Sequence, residues 1–202
     1  MKKIYYWCPF IAPVATTKAV INSAYSLKLY SKKNYEPWII NLAGEWDIHK
    51  EDLKDKKIKL IELTSSKIIN NKKITGFMKS RLVYIYLFSI ALIPLIRLLR
   101  NNPPIFFIIH LITPLPLLIN YFLKIDTKMI LRISGFPQLN YLRKFLWQTT
   151  LKKIYCLTCP TKATKHDMQA QGIIKQDKIN NVYDPIISPK DIINNLKVSS
   201  NN

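Results

Sequence analysis

The sequence predicts an α/β fold, a Rossmann-like parallel sheet with helices on both faces, and three observations predict it. Short apolar runs rich in β-branched and aromatic residues recur along the chain. Longer segments with helical spacing separate them, which is the alternation that feeds a parallel sheet. The 202 residues are 49% apolar, enough for one sizeable core and incompatible with a disordered chain.

The strand candidates lie at 3–7, 37–42, 58–63, 105–109, 128–133, 154–157 and 179–183. The first run follows Lys2 and Lys3 and superficially resembles a signal peptide. Pro9 and Pro13 interrupt it before a polar helical pattern begins at Thr16 and Thr17, so a strand is the better reading. A helix comes next over 17–30, with Val20, Ala24 and Leu27 on one face and a Thr as N-cap.

In the middle, 82–99 and 105–123 are apolar enough to raise the question of membrane spans. Pro94 breaks the first and Arg81, Arg97 and Arg100 crowd its ends, which fits an amphipathic or interfacial helix. In the second, the β-branched and aromatic run ends at His110, and Pro114 and Pro116 punctuate the residues after it, giving a buried strand, a loop and a helix.

A later helix over 139–151 puts Leu139, Leu142 and Leu146 inward and Arg143 and Lys144 outward. Another starts at Thr161 and stops near Gly172, a C′ glycine. After Asp184-Pro185 the periodicity fades, so 1–187 reads as the domain and 188–202 as a linker or tail.

Lys and Arg outnumber Asp and Glu 31 to 12, for a net charge of +19. Such an excess attracts polyanions, and the accompanying apolar content favours anionic lipid over nucleic acid. A Lys-, Asn- and Ile-rich composition also arises from a biased genome. Zinc-finger, RNP-like and long basic recognition-helix patterns are missing, which places nucleic acid last among the partners. Three cysteines form no even disulfide framework and point to a reducing compartment. Cys156-Leu-Thr-Cys159 stands without a second ligand pair, so two buried thiols are expected and no metal.

The candidate site lies at the carboxyl ends of the strands, where ligands of open α/β sheets bind. The loop after the first strand has neither the dinucleotide-binding glycines nor a P-loop, which argues against a tightly cradled pyrophosphate there. Pro13, Thr16 and Thr17 in that loop are candidate cleft-wall residues. His110 directly follows a central strand and is the candidate base or hydroxyl partner, against the alternative of a His hydrogen-bonded within the sheet edge. Arg132, Ser134 and Gly135 bring a planar cation, a hydroxyl and a flexible backbone to the same edge, unless Arg132 pairs with a carboxylate such as Asp126. Thr161 offers a hydroxyl to the cleft, or simply caps its helix. His49 and His166 read as surface residues.

Four stretches carry a family resemblance: Arg132-Ile-Ser-Gly-Phe-Pro-Gln-Leu-Asn140, Leu142-Arg-Lys-Phe-Leu-Trp147, Cys159-Pro-Thr-Lys-Ala-Thr164 and Lys178-Ile-Asn-Asn-Val-Tyr-Asp-Pro-Ile186. In this order they resemble the N-terminal domain of family-4 glycosyltransferases of GT-B type. The resemblance implies a domain that binds a sugar or lipid-linked acceptor and docks peripherally on the inner face of the cell membrane, facing the cytoplasm. It also implies that the nucleotide-sugar donor sits on a second domain. That domain is expected to be missing from this chain, so no cofactor is expected here and glycosyl transfer would take place only together with a donor domain, which is either separately encoded or lost. At the first loop the chain departs from the family pattern, carrying Ala12-Pro13-Val14 where many members have a glycine pair. The competing readings are a non-catalytic remnant or adaptor domain and a small integral membrane protein with two spans.

Overall fold

The computed structural model describes residues 1–11, 15–67, 77–110, 114–123, 125–137 and 140–185. The seven strands are β1 (Lys2–Trp7), β2 (Tyr35–Asn41), β3 (Lys59–Glu62), β4 (Phe106–His110), β5 (Lys128–Arg132), β6 (Cys156–Cys159) and β7 (Ile179–Asn181). They form one sheet in the order β3-β2-β1-β4-β5-β6-β7, with every neighbouring pair parallel. The order reverses between β1 and β4, the switch point of a doubly wound sheet.

The helices are α1 (Ala15–Tyr30), α2 (Lys50–Asp55), α3 (Phe77–Asn101), α4 (Leu115–Phe122), α5 (Tyr141–Thr150) and α6 (Lys162–Ala170). They divide between the two faces because successive strand residues point to opposite sides. In β1, Ile4 and Tyr6 join Val20, Ile21 and Ala24 of α1 and Leu53 of α2 in one core. Tyr5 and Trp7 face the other core, with Leu87, Ala91, Leu95 and Leu99 of α3, Leu117 of α4, Trp147 of α5 and Met168 of α6. A central strand buried on both sides must be apolar on both, which is why β1 and β4 read as continuous hydrophobic runs.

Several expectations need correction. Helix α1 starts at Ala15, so Thr16 and Thr17 lie inside its first turn and neither is the N-cap. Pro94 does not break α3, which runs through it for 25 residues. Its buried residues Leu87, Ala91, Leu95 and Leu99 recur every four positions, and this packed stripe holds the helix although Pro94 donates no bond to the Ile90 carbonyl. The stretch Arg81–Asn101 is long and apolar enough to cross a membrane by length and composition. The second apolar segment is not, since it contains central strand β4 and the eight-residue α4, which does not favour the two-span hairpin.

In α5, Leu142 points outward at 75% exposure and Trp147 fills the core position. Leu139 lies outside the described residues, as do Pro13 and the whole of 188–202. Asn140 caps α5 by accepting from the Arg143 N–H at 2.9 Å, and Thr161 caps α6 by accepting from the Thr164 N–H at 3.0 Å. Gly172 closes α6 at φ +60°, the left-handed conformation that glycine adopts without a Cβ clash.

Candidate functional site at the carboxyl edge

Parallel pairing brings the sequence candidates together. His110 at the end of β4 is in register with Arg132 at the end of β5, and Arg132 with Thr158 on β6. Alternation turns His110 and Arg132 to the side that carries Tyr6 and α1. Tyr6 is held above its ordinary range, at about 12, by burial, against a hydrogen bond to the Ser23 hydroxyl at 3.1 Å and the positive charge of Arg132. α1 rises from the same edge after β1, so its N-terminal turn with Thr16 and Thr17 flanks this group. Thr17 is buried there and Thr16 half-buried.

Arg132 is only 8% exposed. Its partner is Asp184, not Asp126: Nε donates to Asp184 Oδ1 at 2.9 Å, Nη2 donates to the same oxygen, and Nη2 also donates to the Val182 carbonyl at 3.2 Å. After β7 the chain therefore returns as a strap over the edge. The strap is tied by Val182 N–H to the Cys159 carbonyl at 2.9 Å and by Asn22 Nδ2 to the Pro185 carbonyl at 2.9 Å.

His110 is 2% exposed and has no hydrogen-bond partner for either ring nitrogen among the described residues. The expectation of a His bonded within the sheet edge is thus not met. Burial, reinforced by the Arg132 charge, lowers its pKa to about 3, so the imidazole is neutral. Thr158 Oγ1 is likewise buried and unpartnered. Each such orphan costs about 1–3 kcal/mol. Ser134 and Gly135 lie exposed just beyond β5, and Thr161 is an exposed cap on the far side of Thr158.

A second polar cluster, which sequence reasoning missed, ties together the carboxyl ends of β2 and β3. Glu45 accepts from the Leu42 and Ala43 N–H groups at 2.9 and 2.7 Å. Burial outweighs these bonds and raises it to about 7. Asn41 donates to Asp47 at 2.8 Å and to Glu62 at 2.9 Å, and both carboxylates pair with Lys50 and Lys67. These groups satisfy one another. His49 is not a free surface residue: its ring packs against Trp46 and Phe10, at 5.7 and 6.2 Å between centroids. His166 is exposed.

Cys156 and Cys159, three positions apart on β6, face opposite sides of the sheet and cannot share a metal ion. Among the described residues no group of three or more metal-ligating side chains occurs. Among the described residues, cavities of about 570, 540 and 620 Å³ lie at the amino ends of the strands, away from His110 and Arg132.

No family model and no curated protein sequence matches the chain. Solved structures do. A glycosyltransferase from Rickettsia africae ESF-5 superposes with a TM-score of 0.63 at 14% identity, over 98% of this chain and 49% of that one. The fold is GT-B-like. The same likeness extends to UDP-GlcNAc 2-epimerase from Methanocaldococcus jannaschii in complex with UDP-GlcNAc and UDP, with a TM-score of 0.57 and 16% identity over 99% of this chain and 50% of that one. It extends also to Anabaena HepE in complex with UDP and glucose, with a TM-score of 0.56 and 10% identity over 99% and 50%. The chain spans about half the length of these GT-B-like structures. At such identities the likeness establishes the fold alone, and the chemistry has to be argued from the site.

Proposed function

We propose that this chain is the acceptor-binding, N-terminal half of a family-4-like glycosyltransferase working in polysaccharide or glycolipid synthesis. Residues 1–187 form the domain and 188–202 lead out of it. The observation that carries the reading is the registered group His110–Arg132–Thr158 at the carboxyl edge of a GT-B-like sheet, beside the reversal of strand order. A sugar or lipid-linked acceptor would lie there. A nucleotide-sugar would be held by a second, donor-binding domain.

The neutral, low-pKa imidazole of His110 suits a positioning role better than proton abstraction, because a base near pKa 3 has little driving force at neutral pH. It would orient the acceptor hydroxyl while Arg132 holds a negative group of the acceptor, with Thr16, Thr17, Ser134 and Thr161 around the rim and Pro13 on the first loop.

The same protein would work at the cytoplasmic face of a membrane, on anionic lipid. On the outward side of α3, Leu82, Ile85 and Ile93 are exposed, and on α5 Tyr141, Leu142 and Phe145 are exposed. The two helices lie on the same face of the sheet with α4 packed against both. Exposed apolar side chains among Arg and Lys, on a chain of net charge +19, are the pattern of an interfacial helix layer.

The test is sugar transfer from UDP- and GDP-sugars to a polyprenyl diphosphate-linked acceptor, with the chain alone and together with a GT-B donor half. Transfer only in the reconstituted pair is the expected result, and transfer by the chain alone overturns the divided arrangement. C2 epimerisation of UDP-GlcNAc in place of transfer would replace this reading with that of the epimerases sharing the fold.

A further inference from the structure

We propose that Arg132, His110 and Thr158 form a binding site for a phosphate or diphosphate group, and that Asp184 on the strap occupies this site as a stand-in carboxylate until the ligand displaces it. The inference deepens the acceptor-binding reading, since it names the chemical group that the same edge recognises.

Three observations carry it. Arg132 presents a planar fork of donors to the edge, and the group now filling that fork is an oxyanion, the Asp184 carboxylate. That carboxylate satisfies only the arginine. The two ring nitrogens of His110 and the hydroxyl of Thr158, on the neighbouring strands in register with Arg132, are buried and unpartnered among the described residues. Buried polar atoms without partners are rare in folded proteins, and here the one N–H of the neutral His110 ring and the Thr158 hydroxyl are two unused donors beside one buried cation, which marks a site built for more acceptor oxygens than one aspartate offers. A phosphate or diphosphate has them: it can take the guanidinium fork while accepting from the imidazole N–H and the threonine hydroxyl.

The third observation is that the occupant can leave. Asp184 belongs to no helix or strand, and its side chain is 23% exposed. Two of the strap's other ties are single hydrogen bonds, Val182 to Cys159 and Asn22 to Pro185. Lifting Val182–Pro185 would uncover His110, Arg132 and Thr158 without unpairing any strand. The N-terminal turn of α1 at the same edge adds positive potential for the incoming anion.

The experiment is calorimetric titration of the full 202-residue chain with inorganic pyrophosphate at 0.15 M salt, alongside variants checked for folding by circular dichroism. Asp184→Asn keeps an oxygen for Arg132 but removes the competing charge, and should bind about tenfold more tightly than the native chain, a change of about 1.4 kcal/mol. Arg132→Gln should abolish the site, and the double variant R132Q/D184N, in which neither charge is left unpaired, should show the same loss. The His110 ring ¹⁵N resonances should shift on saturation in the native chain and stay fixed in R132Q/D184N. Equal affinity of native and D184N chains, pyrophosphate binding that survives loss of Arg132, or unmoved His110 resonances would each overturn the proposal, the second by assigning binding to surface lysines. Parallel titrations with UDP and with farnesyl diphosphate tell a nucleotide source from a lipid source. All readouts are binding measurements, so they stand apart from the outcome of the transfer assay.

Discussion

At the scale of single residues, two buried titratable groups pull stability in opposite directions with pH. His110 has its pKa lowered from 6.5 to about 3. The unfolded chain therefore takes up a proton that the folded one refuses, and this group's effect is a loss of stability as pH falls from about 6.5 toward 3. Glu45 is raised from 4.5 to about 7. Here the folded chain holds the extra proton, so its contribution is full below about 4.5 and fades as pH rises through 7. Between 4.5 and 6.5 the two oppose each other, with His110 worth up to about 5 kcal/mol and Glu45 up to about 3 kcal/mol across their full windows. Urea unfolding from pH 4.5 to 7.5 should separate them: His110→Gln leaves a stability that declines with pH, and Glu45→Gln one that climbs. Identical slopes for both variants would contradict this assignment. Asp184→Ala should cost roughly 2–3 kcal/mol by urea titration, since it leaves a buried guanidinium without its carboxylate; the partial exposure of Asp184 keeps the cost at the lower end. The sequence discloses His110 and Arg132 because each ends a strand, and a strand's end is a local property. It does not disclose Asp184 as the partner of Arg132, 52 residues away. Nor does it disclose Glu45, whose burial depends on how the loop after β2 folds back on its own N–H groups.

At the scale of elements, all seven strands are legible to within two residues at every boundary, and the central β1 and β4 read most plainly because burial on both faces demands unbroken apolar runs, which the edge strands β3 and β7 lack. Helix faces are harder to read. Spacing places Leu142 inside, but α5 buries Trp147 and Thr150 and leaves its apolar Tyr141, Leu142 and Phe145 in solvent. Periodicity locates an apolar stripe without saying whether protein covers it. Pro94 misleads for a related reason: a proline costs a helix about 3 kcal/mol, and the packing of Leu87, Ala91, Leu95 and Leu99 outweighs that. Pro94→Ala restores the bond to the Ile90 carbonyl and should stabilise the chain by about 1–3 kcal/mol in thermal or urea unfolding. No gain would mean that α3 bends at Pro94 to fit its neighbours. Thr161→Ala removes the cap on α6 and should cost about 1 kcal/mol, with the Thr161 hydroxyl making no other described contact than Thr164.

At the scale of the whole molecule, the charge of +19 and the outward apolar residues of α3 and α5 predict sedimentation with anionic vesicles at low salt and release as salt rises, each basic residue near the surface contributing about 1 kcal/mol. Ile85→Glu combined with Phe145→Glu should abolish that binding without changing the melting temperature by more than a few degrees. Equal sedimentation with neutral vesicles would remove the electrostatic contribution. The strand order has a further consequence, for the chain as it is being made. β1 pairs on one side with β2 and on the other with β4, whose first partner, Phe106, lies about a hundred residues after Ile4. At about 5–20 residues per second, a ribosome needs on the order of 5–20 seconds to deliver β4 after β1. Through that interval one edge of β1, with Tyr5 and Trp7 alongside it, is open to pairing with anything in reach. A nascent chain stalled before residue 106 has emerged should therefore be bound by chaperones and cut by proteases, and one stalled after β4 has cleared the tunnel should be markedly more resistant.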